Sequence, residues 1–577
     1  MNRRRIKRRG VDANECSLAD LHPVLQRVYA ARGVKSQEDL DLRLNRLLPI
    51  SRMKGLPAAV DLLLEMRDGQ EGIVVVGDFD ADGATSTALV LRALRSLGFS
   101  NVDYLVPNRF EYGYGLTPEI VEMAALSHPS LIITVDNGIS SHDGVKFADE
   151  LGIRVLITDH HLPASTLPQA AAIVNPNLPG EDFPSKHLAG VGVAFYLMAA
   201  LCRHLGAGRS VAKYLDLVAL GTIADVVPLD KNNRILVDQG LRRIRAGRCV
   251  PGISALLEEA GRDRDRLVAA DLAFAVAPRL NAAGRLDDMS VGIECLLADE
   301  SAQAKTIAAS LSALNAERRD IECRMQDDAL DTIADMQSGG APDELPYGLC
   351  LFDESWHQGV VGLVASRVKE RIHRPVIAFA RADGKTLKGS ARSIPGVHIR
   401  DVLDAVATGH PGLVEKFGGH AMAAGLSLKS TSLETFSDAL NAELPRWLDA
   451  GDLEGAWLTD GELEPGELCL AIAQLLRRGG PWGQGFPEPM FDGVFEVCSA
   501  KLVGENHLKM RVLPDGGQRS LDAIAFNQAD TLDALLNERA RLVFRLDVND
   551  YRGLQSAQLI VEHAELVVSA HSESLSA

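Results

Sequence analysis

Hydrophobic positions in the first 230 residues fall in short runs, and three of these runs end in carboxylates or imidazoles. The runs are residues 73–83, 131–138 and 155–161, with polar ends Asp78-Phe79-Asp80-Ala81-Asp82-Gly83, Asp136-Asn137-Gly138 and Asp159-His160-His161. A short apolar run closed by a polar turn is typical of a buried strand. Helical patterns lie between the runs, including one at residues 85–97. Residues 55–230 therefore predict a parallel sheet with crossover helices.

The polar ends of these strands predict a metal site. Ligands of open α/β sheets bind beyond the carboxyl ends of the strands, and carboxylates gathered there repel one another unless cations lie between them. Oxygen ligands mixed with imidazole are suited to Mg²⁺ or, better, to Mn²⁺. Two such ions at one edge are typical of enzymes that hydrolyse phosphate esters. The pattern therefore favours a metal-dependent phosphoesterase.

The strand-end residues leave alternatives open. The alternation of Asp78, Asp80 and Asp82 predicts that they share one face of an extended segment, with Gly83 allowing a sharp turn. An acidic turn without a metal, or the Asp-x-Asp-Gly turn of phosphatases that form an aspartyl-phosphate, has a similar pattern. That phosphatase scheme has no place for Asp159-His160-His161. Two adjacent histidines cannot both point one way from an extended backbone, so we expect one to bind metal and the other to face substrate or orient the aspartate.

The rest of the chain predicts a multidomain α/β protein with a C-terminal barrel. Residues 1–50 are expected to pack on the domain formed by residues 51–299. Residues 300–338 lack Gly and Pro and are rich in Ala and Glu, so they predict one long helix of about 50 Å. A second α/β domain is expected at residues 345–450. Short alternating strands within residues 455–570 resemble a small barrel of the oligonucleotide-binding (OB) kind.

Composition narrows the class of protein. The net charge of −18 argues against binding along a long stretch of duplex nucleic acid, but it is compatible with a narrow channel that is locally basic. The eight cysteines form no Cys-x-x-Cys pair, which argues against a zinc ribbon or a disulfide framework and is typical of a reducing cytoplasm. No apolar run approaches the roughly 20 residues of a membrane helix. The basic start at residues 1–9 predicts either a phosphate-contacting arm or a solvated tail.

The three strand-end motifs, followed by Gly221-Thr222-Ile223-Ala224-Asp225, resemble in order and spacing those of the DHH phosphoesterase superfamily. From about residue 40 to the barrel, the chain is similar to the RecJ-type branch of single-stranded-DNA-specific exonucleases. The resemblance implies as metal ligands Asp78, Asp80, Asp82, Asp136, His160 and Asp225. It also implies that His161 lies by the scissile phosphate, in an electrostatic or proton-transfer role, and that Asp159 is an orienting residue.

Two further segments, residues 108–115 and 278–285, fit a strand of nucleic acid, and residues 389–393 and 417–425 resemble parts of the DHH-associated domain. The first mixes Arg with aromatics and Gly, as in sites that clamp phosphate and stack bases. The last predicts a Gly-rich turn that enters an Ala-rich helix, whose N-terminus would attract an anion. In isolation each of them is more often an ordinary turn or loop. The resemblance implies a DNA-binding or 5′-phosphate-binding role for Arg109, Arg279, Asn281, Ser390, Arg392, Gly418, Gly419 and His420.

The resemblance also implies a fold and a reaction. The fold is a parallel-sheet DHH domain, a long connecting helix, a second α/β (DHH-associated) domain and an OB-like barrel, with the two α/β lobes facing each other across a cleft. The reaction is 5′→3′ hydrolysis of single-stranded DNA to 5′-mononucleotides with two divalent ions, Mn²⁺ or Mg²⁺, in DNA repair and recombination. The implied setting is the bacterial cytoplasm, with single-strand DNA-binding protein and a RecQ-type helicase as partners.

Two other functions remain as alternatives. One is a DHH-family hydrolase of short oligoribonucleotides or cyclic dinucleotides, which would need neither the barrel nor the length of this chain. The other is a catalytically inactive scaffold that binds single-stranded DNA. The scaffold predicts missing metal ligands, whereas Asp80, Asp82, Asp136, His160 and Asp225 are all present.

Overall fold

The computed structural model describes residues 4–10, 18–108, 111–208, 210–338, 345–449, 451–504, 506–528 and 535–567. The chain forms two compact units. The larger unit comprises Arg8–Ser312 and Leu458–Ala577, and the smaller unit comprises Met1–Lys7 and Ala313–Trp457. Arg109, a predicted DNA-binding residue, lies outside the described residues.

The larger unit contains a five-stranded parallel sheet. From the N-terminus of the chain, the elements are β1 (Arg5–Arg8), α1 (Pro23–Ala30), α2 (Leu56–Gly69), β2 (Ile73–Gly77), α3 (Ala81–Ser96), β3 (Val102–Leu105), α4 (Pro118–Ala125), β4 (Leu131–Val135), α5 (His142–Glu150), β5 (Arg154–Thr158) and β6 (Ala172–Val174). The strand order of the sheet is β3-β2-β4-β5-β6. Every residue of β2 and β4 is buried, because crossover helices cover both faces of a parallel sheet. The three predicted strand ends therefore meet at one edge, on adjacent strands.

A helical layer follows the sheet and covers the same edge. It contains α6 (Gly190–His204), α7 (Leu215–Ala224), α8 (Lys231–Arg245), α9 (Pro251–Glu259), α10 (Ala269–Asp271), a π-helical turn at Leu272–Val276, α11 (Ala277–Leu286) and α12 (Ser290–Leu297). Helix α3 is buried along almost its whole length because α6 and α7 both pack against it. A helix without a polar face belongs in the interior, and this one carries part of the acidic motif.

The predicted long helix is present as α13 (Ser301–Ser338). The smaller unit then continues with β7 (Leu349–Phe352), α14 (Val361–Ile372), β8 (Val376–Arg381), β9 (Thr386–Arg392), α15 (Ile399–Gly409), β10 (Lys416–Gly419), β11 (Ala423–Lys429) and α16 (Leu433–Glu443). Its sheet has the order β10-β11-β9-β8-β7, with only the β7–β8 pair parallel. Phe379 and Phe436 lie in the core between this sheet and its helices.

The sequence prediction for residues 417–425 is wrong. The segment does not enter a helix; it forms the hairpin of β10 and β11, in which Gly418 pairs with Gly425. From Ala423 onward the residues alternate between more and less buried positions, which is the period of a strand. Pairing along β9 outweighs the helix propensity of the alanines, because tertiary contacts override a weak local preference.

The chain returns to the larger unit as a closed barrel. Strand β12 (Ala456–Thr459), which pairs with β1, and helix α17 (Leu470–Arg478) come before the barrel. The barrel strands are β13 (Phe491–Val503), β14 (His507–Pro514), β15 (Leu521–Ala525), β16 (Arg539–Tyr551) and β17 (Leu554–Leu566). The ring has the order β13-β14-β15-β17-β16. Together with the parallel sheet and the second α/β fold, it confirms the predicted fold class. Among the described residues, none of the helices is both long and apolar enough to cross a membrane.

Candidate metal centre

The first acidic motif lies where β2 passes into α3. Asp78 directly follows the strand, Asp80 is the N-cap of α3, and Asp82 is in the first helical turn. The predicted single extended face is therefore wrong. The Oδ1 atom of Asp80 instead accepts the backbone N–H groups of Asp82 and Gly83 at 2.9 and 3.0 Å. A strand end, a cap and a helical turn bring the three carboxylates to one place, at the positive end of α3.

Residues from the neighbouring elements complete the cluster. Asp136 follows β4, His160 follows β5, and Asp225 caps the C-terminus of α7. The Nε2 atom of His160 lies 3.1 Å from Oδ1 of Asp136 and 3.5 Å from Oδ2 of Asp225. A neutral imidazole nitrogen facing two carboxylate oxygens needs a proton or a cation between them.

Ligand atoms gather in three overlapping groups within the described residues. In each group the atoms lie within 4.8 Å of one another, and the groups are Asp136 with His160 and His161, Asp82 with His160 and Asp225, and Asp78 with Asp80 and Asp136. Asp136 and His160 each belong to two groups. The six predicted ligands therefore lie together. Both histidine rings approach Asp136, and His161 also binds Asp159, as expected for the second histidine.

The cluster carries more negative charge than its surroundings balance. Burial, and then the charge of Asp80, raise the pKa of Asp82 to about 7. Burial and the neighbouring carboxylates also raise the pKa values of Asp136 and Asp225 well above their usual range. Buried oxygens of Asp136 and Asp225 accept no hydrogen bond from the described residues. Such oxygens are suited to divalent cations, so these residues could hold Mn²⁺ or Mg²⁺.

Asp159 differs from Asp136 and Asp225 because both of its carboxylate oxygens accept hydrogen bonds. Its Oδ1 atom lies 2.7 Å from Nδ1 of His161 and also accepts the backbone N–H of His160, while Oδ2 accepts the N–H of Ile139. Burial alone would raise the pKa of Asp159, but the bond from His161 and these contacts lower it. Asp159 thus holds the ring of His161, as an orienting residue would.

Several supporting residues were not identified from the sequence. The hydroxyl of Tyr114 donates to the carbonyl of Asp136 at 3.2 Å and lies 3.4 Å from the ring of His161. Asn175 and Asn177, just after β6, donate to the carbonyls of His161 and His160 at 2.9 and 2.6 Å. The two asparagines follow the next strand of the same sheet. The strand-end rule that identified the ligands would have found them too.

Two glycines allow helices to approach the carboxylates closely. A Cβ atom on Gly190 would lie 2.6 Å from the Cβ of Asp136, and one on Gly221 would lie 2.6 Å from Oδ1 of Asp82. The close approach lets Gly190 and Val191, at the start of α6, donate their N–H groups to Asp82 at 2.6 and 3.0 Å. Backbone N–H groups at the start of α6 are therefore part of the site.

The predicted DNA-binding residues of the larger unit have structural contacts. Asn281, on α11, accepts the backbone N–H of Ala81 at 2.8 Å, so it holds the turn that carries the first acidic motif. Arg279 donates to the hydroxyl of Ser312 at 2.9 Å and to the carbonyl of Ala275 at 2.5 Å. Residues 278–285 belong to a helix and not to a loop. A DNA contact of Arg279 stays a prediction.

In the smaller unit, Ser390 and Arg392 lie together on β9. The guanidinium of Arg392 donates to the hydroxyls of Ser390 and Ser366 at 3.0 and 3.2 Å. A Cβ atom on Gly362, in the first turn of α14, would lie 2.8 Å from this guanidinium and 2.9 Å from the Ser390 hydroxyl. A helix N-terminus, an arginine and a hydroxyl form a group suited to a phosphate. Gly418, Gly419 and His420 are exposed on the β10–β11 hairpin.

Three family models match the chain, in the order of its structural regions. The DHH family, N-terminal domain, matches residues 72–222. The DHHA1 domain matches residues 346–445, and the RecJ OB domain matches residues 459–563.

Similar proteins match over almost the full length. The chain is 54% identical over 571 residues to the single-stranded-DNA-specific exonuclease RecJ of Escherichia coli strain K12, covering 97% of this chain and 98% of that protein. It is 55% identical to the RecJ of Dickeya dadantii strain 3937, covering 95% and 97%. A crystal structure of RecJ from Thermus thermophilus in complex with Mn²⁺ superposes with a TM-score of 0.81 at 31% identity, covering 98% of this chain and 80% of that chain. The same protein in complex with Mg²⁺ gives a TM-score of 0.76.

Proposed function

The chain belongs to the RecJ family of single-stranded-DNA-specific exonucleases, and on this basis we propose that it removes nucleotides from single-stranded DNA one after another in the 5′→3′ direction. The products would be 5′-mononucleotides. The proposed cofactors are two divalent cations, Mn²⁺ or Mg²⁺. A role in DNA repair and recombination follows from such an activity.

One observation carries the proposal: carboxylate and imidazole atoms from four separate segments converge at one sheet edge, in groups that share Asp136 and His160. We assign as metal ligands Asp78, Asp80, Asp82, Asp136, His160 and Asp225. Asp136 belongs to two of the groups and is the residue that would serve both ions. When bound, the cations would supply Lewis-acid stabilisation of the phosphate and an acidified water.

The remaining side chains would position the substrate and its protons. Asp159 binds Nδ1 of His161, so Nε2 is the atom of that ring that would meet an oxygen of the scissile phosphate. The pKa of His161 is raised: burial opposes the shift, but Asp159 outweighs it. A protonated ring would stabilise the negative charge that develops on the phosphate. Tyr114, at the edge of this ring, would limit the positions that the ring can take.

We propose that Ser390 and Arg392 bind the terminal phosphate of the strand. Their group lies against the first turn of α14, so charge-assisted donors are combined with the positive end of a helix. A pocket closed beyond that phosphate would admit a strand end and exclude a continuous strand. Gly418, Gly419 and His420 are proposed to contact the backbone of the DNA from the neighbouring hairpin. Arg109 and Arg279 remain predicted contacts.

The barrel distinguishes this function from hydrolysis of small molecules. A short oligoribonucleotide or cyclic dinucleotide needs no second binding module, whereas a barrel of the OB kind provides a groove for extended single strands. The inactive scaffold is disfavoured because each proposed ligand is present at the cluster. Single-strand DNA-binding protein, a RecQ-type helicase and a bacterial cytoplasmic location stay predictions from the family.

The decisive experiment is digestion of single-stranded oligonucleotides labelled at either end, with Mn²⁺, Mg²⁺ or a chelator. The expected result is rapid release of a 5′ label as mononucleotide, slow shortening from the 3′ label, and no product with chelator. Release of a 3′ label first would reverse the proposed polarity. Cleavage of circular single strands would contradict the closed phosphate pocket.

The phosphate pocket has its own test in Arg392→Ala. A charge-assisted bond to a terminal phosphate contributes about 1.5–3 kcal/mol, or roughly a ten- to hundredfold preference. We expect the variant to lose that preference for 5′-phosphate over 5′-hydroxyl strands in direct competition. Arg371→Ala, which removes an exposed arginine from the end of α14, is the control. Equal loss of activity on both kinds of end would mean that Arg392 only supports the fold.

A further inference from the structure

A polar cavity of about 290 Å³ lies in the larger unit and includes none of the residues of the metal centre. Its walls come from α1, the segment after it at residues 40–43, helix α8, and the loop that follows α17. The volume is near the lower end of the range for ligand pockets, about 300–1,000 Å³. The cavity therefore suits a small ligand or a single group of a larger one.

Positive charge predominates in the lining of this cavity. Four arginines and two aspartates line it: Arg43, Arg234, Arg242, Arg478, Asp41 and Asp238. The excess is unusual for a chain with a net charge of −18. A concave surface with excess positive charge concentrates anions.

Arg234 is the distinctive residue of the lining because it is buried and unsatisfied. The residue is 6% exposed, and its Nε atom has no hydrogen-bond partner. Across the described residues, its guanidinium makes no hydrogen bond or ion pair. Burial lowers the pKa of Arg234, and the charges of Asp39 and Asp230 oppose the shift without forming an ion pair with it. A guanidinium has five N–H donors, and burying even one of them, here the Nε–H group, without an acceptor is costly.

The acidic side chains in the lining are engaged by other arginines. Asp238 accepts from Nε of Arg242 at 2.7 Å, and Asp41 accepts from Arg43 at 2.7 and 2.6 Å. The hydroxyl of Tyr29, also in the lining, donates to the carbonyl of Gly479 at 2.8 Å. The protein therefore holds a buried cation beside a cavity, and among the described residues no carboxylate forms an ion pair with it.

One packing contact of Arg234 stabilises its charge without accepting its hydrogen bonds. Its guanidinium carbon lies 4.3 Å from the ring centre of Phe486, a cation–π contact that favours the charge. The ring attracts the charge but supplies no oxygen acceptor for the N–H groups. The contact therefore leaves these donors available to an oxyanion.

We propose that this cavity binds a phosphate group, with Arg234 as its central donor and Arg478 as an exposed partner at the entrance. A phosphate has enough oxygens to accept from both, and guanidinium groups bind it in bidentate geometry. The group would come either from the backbone of a DNA strand or from a small molecule such as inorganic phosphate or a 5′-mononucleotide. The proposal does not rest on the metal centre or on the direction of hydrolysis.

The test is isothermal titration of the full chain in metal-free buffer, so that phosphate on a metal ion does not contribute. The titrants are inorganic phosphate, thymidine 5′-monophosphate and a long oligothymidylate. The variants are Arg478→Gln and Arg234→Gln. The control is Arg248→Gln, which removes an exposed arginine just beyond α8 that does not line the cavity.

We expect each cavity variant to weaken the binding of at least one titrant roughly tenfold or more, with the control unchanged. A loss confined to the long strand would assign the cavity to the DNA backbone. A loss confined to inorganic phosphate or the mononucleotide would assign it to a small molecule. Unchanged binding of all three titrants by both variants would overturn the proposal.

The experiment remains decisive even if one of the two cavity variants fails to fold. Arg478 is exposed at the end of α17, so its replacement removes charge from the entrance without leaving a buried void. If Arg234→Gln fails to fold, Arg478→Gln alone decides: normal binding of every titrant by that variant refutes the site. Hydrolysis of a short strand, measured in parallel with Mn²⁺, verifies that each variant retains an intact metal centre.

Discussion

Two regions of the larger unit bury carboxylates, and the pKa values of these carboxylates shift in opposite directions. At the barrel, the side chain of Asp492 is fully buried, accepts from the hydroxyl of Thr459 at 2.6 Å, and pairs with Arg8 and Arg541. Burial alone would raise the pKa of Asp492, but these partners lower it. At the sheet edge, the pKa values of Asp136 and Asp225 are raised instead.

Asp492 and Asp136 are both almost inaccessible to solvent, and their partners differ. The barrel supplies guanidinium groups for its aspartate, so the charge is already balanced in the folded chain. The sheet edge supplies other aspartates, so its charge is balanced only by protons or by cations from solution. A buried carboxylate with built-in cations indicates a structural role, and one without them indicates a binding site.

The largest effect is expected from Asp136→Ala. Losing the carboxylate shared by two ligand groups should reduce hydrolysis of single-stranded DNA at least about a thousandfold, equivalent to about 4 kcal/mol of transition-state stabilisation. The metal-free variant should melt no lower than the wild type, because a repelled charge is removed. Turnover with Mn²⁺ and thermal melting in chelator provide the two readouts. Asp149→Ala, an exposed aspartate on α5, is the control, and near-normal turnover of Asp136→Ala would refute the assignment.

The next effect is stabilisation by metal. At Mn²⁺ concentrations about a hundred times the dissociation constant, binding should stabilise the wild type by about 2.7 kcal/mol per site. Melting temperatures with and without Mn²⁺ measure this gain. Asp492→Ala should gain as much as the wild type, whereas Asp136→Ala should gain much less. An equal gain in all three proteins would place the metal somewhere other than the sheet edge.

Asp492→Ala should destabilise the chain itself by about 2 kcal/mol, whether metal is present or not. Removing one partner of a buried ion pair usually costs about 3–5 kcal/mol, but Arg8 is half exposed and can regain water. Urea denaturation followed by circular dichroism measures the change. Asp515→Ala removes an exposed partner of Arg539 and should cost less than about 1 kcal/mol. Similar losses in the two variants would remove the contrast between the regions.

The smallest effect is the response of Asp492 to acid. Its folded pKa lies below the ordinary value of 3.8, so the ionised form stabilises the fold at neutral pH. That contribution is present above the unfolded pKa and is lost as the pH falls through the folded pKa. The stability difference between wild type and Asp492→Asn should therefore shrink below about pH 4. Denaturation at a series of acidic pH values tests this, and a constant difference would mean that the carboxylate is not ionised in the fold.

The sequence was most informative where local pattern and tertiary structure agree. Apolar runs before Asp78, Asp136 and Asp159 predicted buried strands with polar ends, because parallel strands are covered on both faces. The absence of Gly and Pro predicted helix α13, and alternating residues predicted the strands of the barrel. In each case the local sequence favours one conformation along the whole element.

Prediction failed where neighbours far along the chain decide the conformation. The spacing of Asp78, Asp80 and Asp82 fits an extended face, yet capping by Asp80 and donors from α6 favour a helix that begins at Ala81. The alanines near Gly425 favour a helix until β9 offers a pairing edge. The contact of Asn281 with the N–H of Ala81, 200 positions earlier, could not be predicted either, while its DNA-binding role stays a prediction. No local pattern encodes such partners.

Gly190 has a consequence for judging whether other chains of this architecture are functional. An inventory of acidic and histidine positions would accept any chain that retains all six ligands. An alanine at the position of Gly190 would nevertheless push against the β-carbon of Asp136 and displace it without altering any ligand. Competence at this centre therefore depends on a residue with no side chain, and a search for active members should require the glycine as strictly as the aspartates.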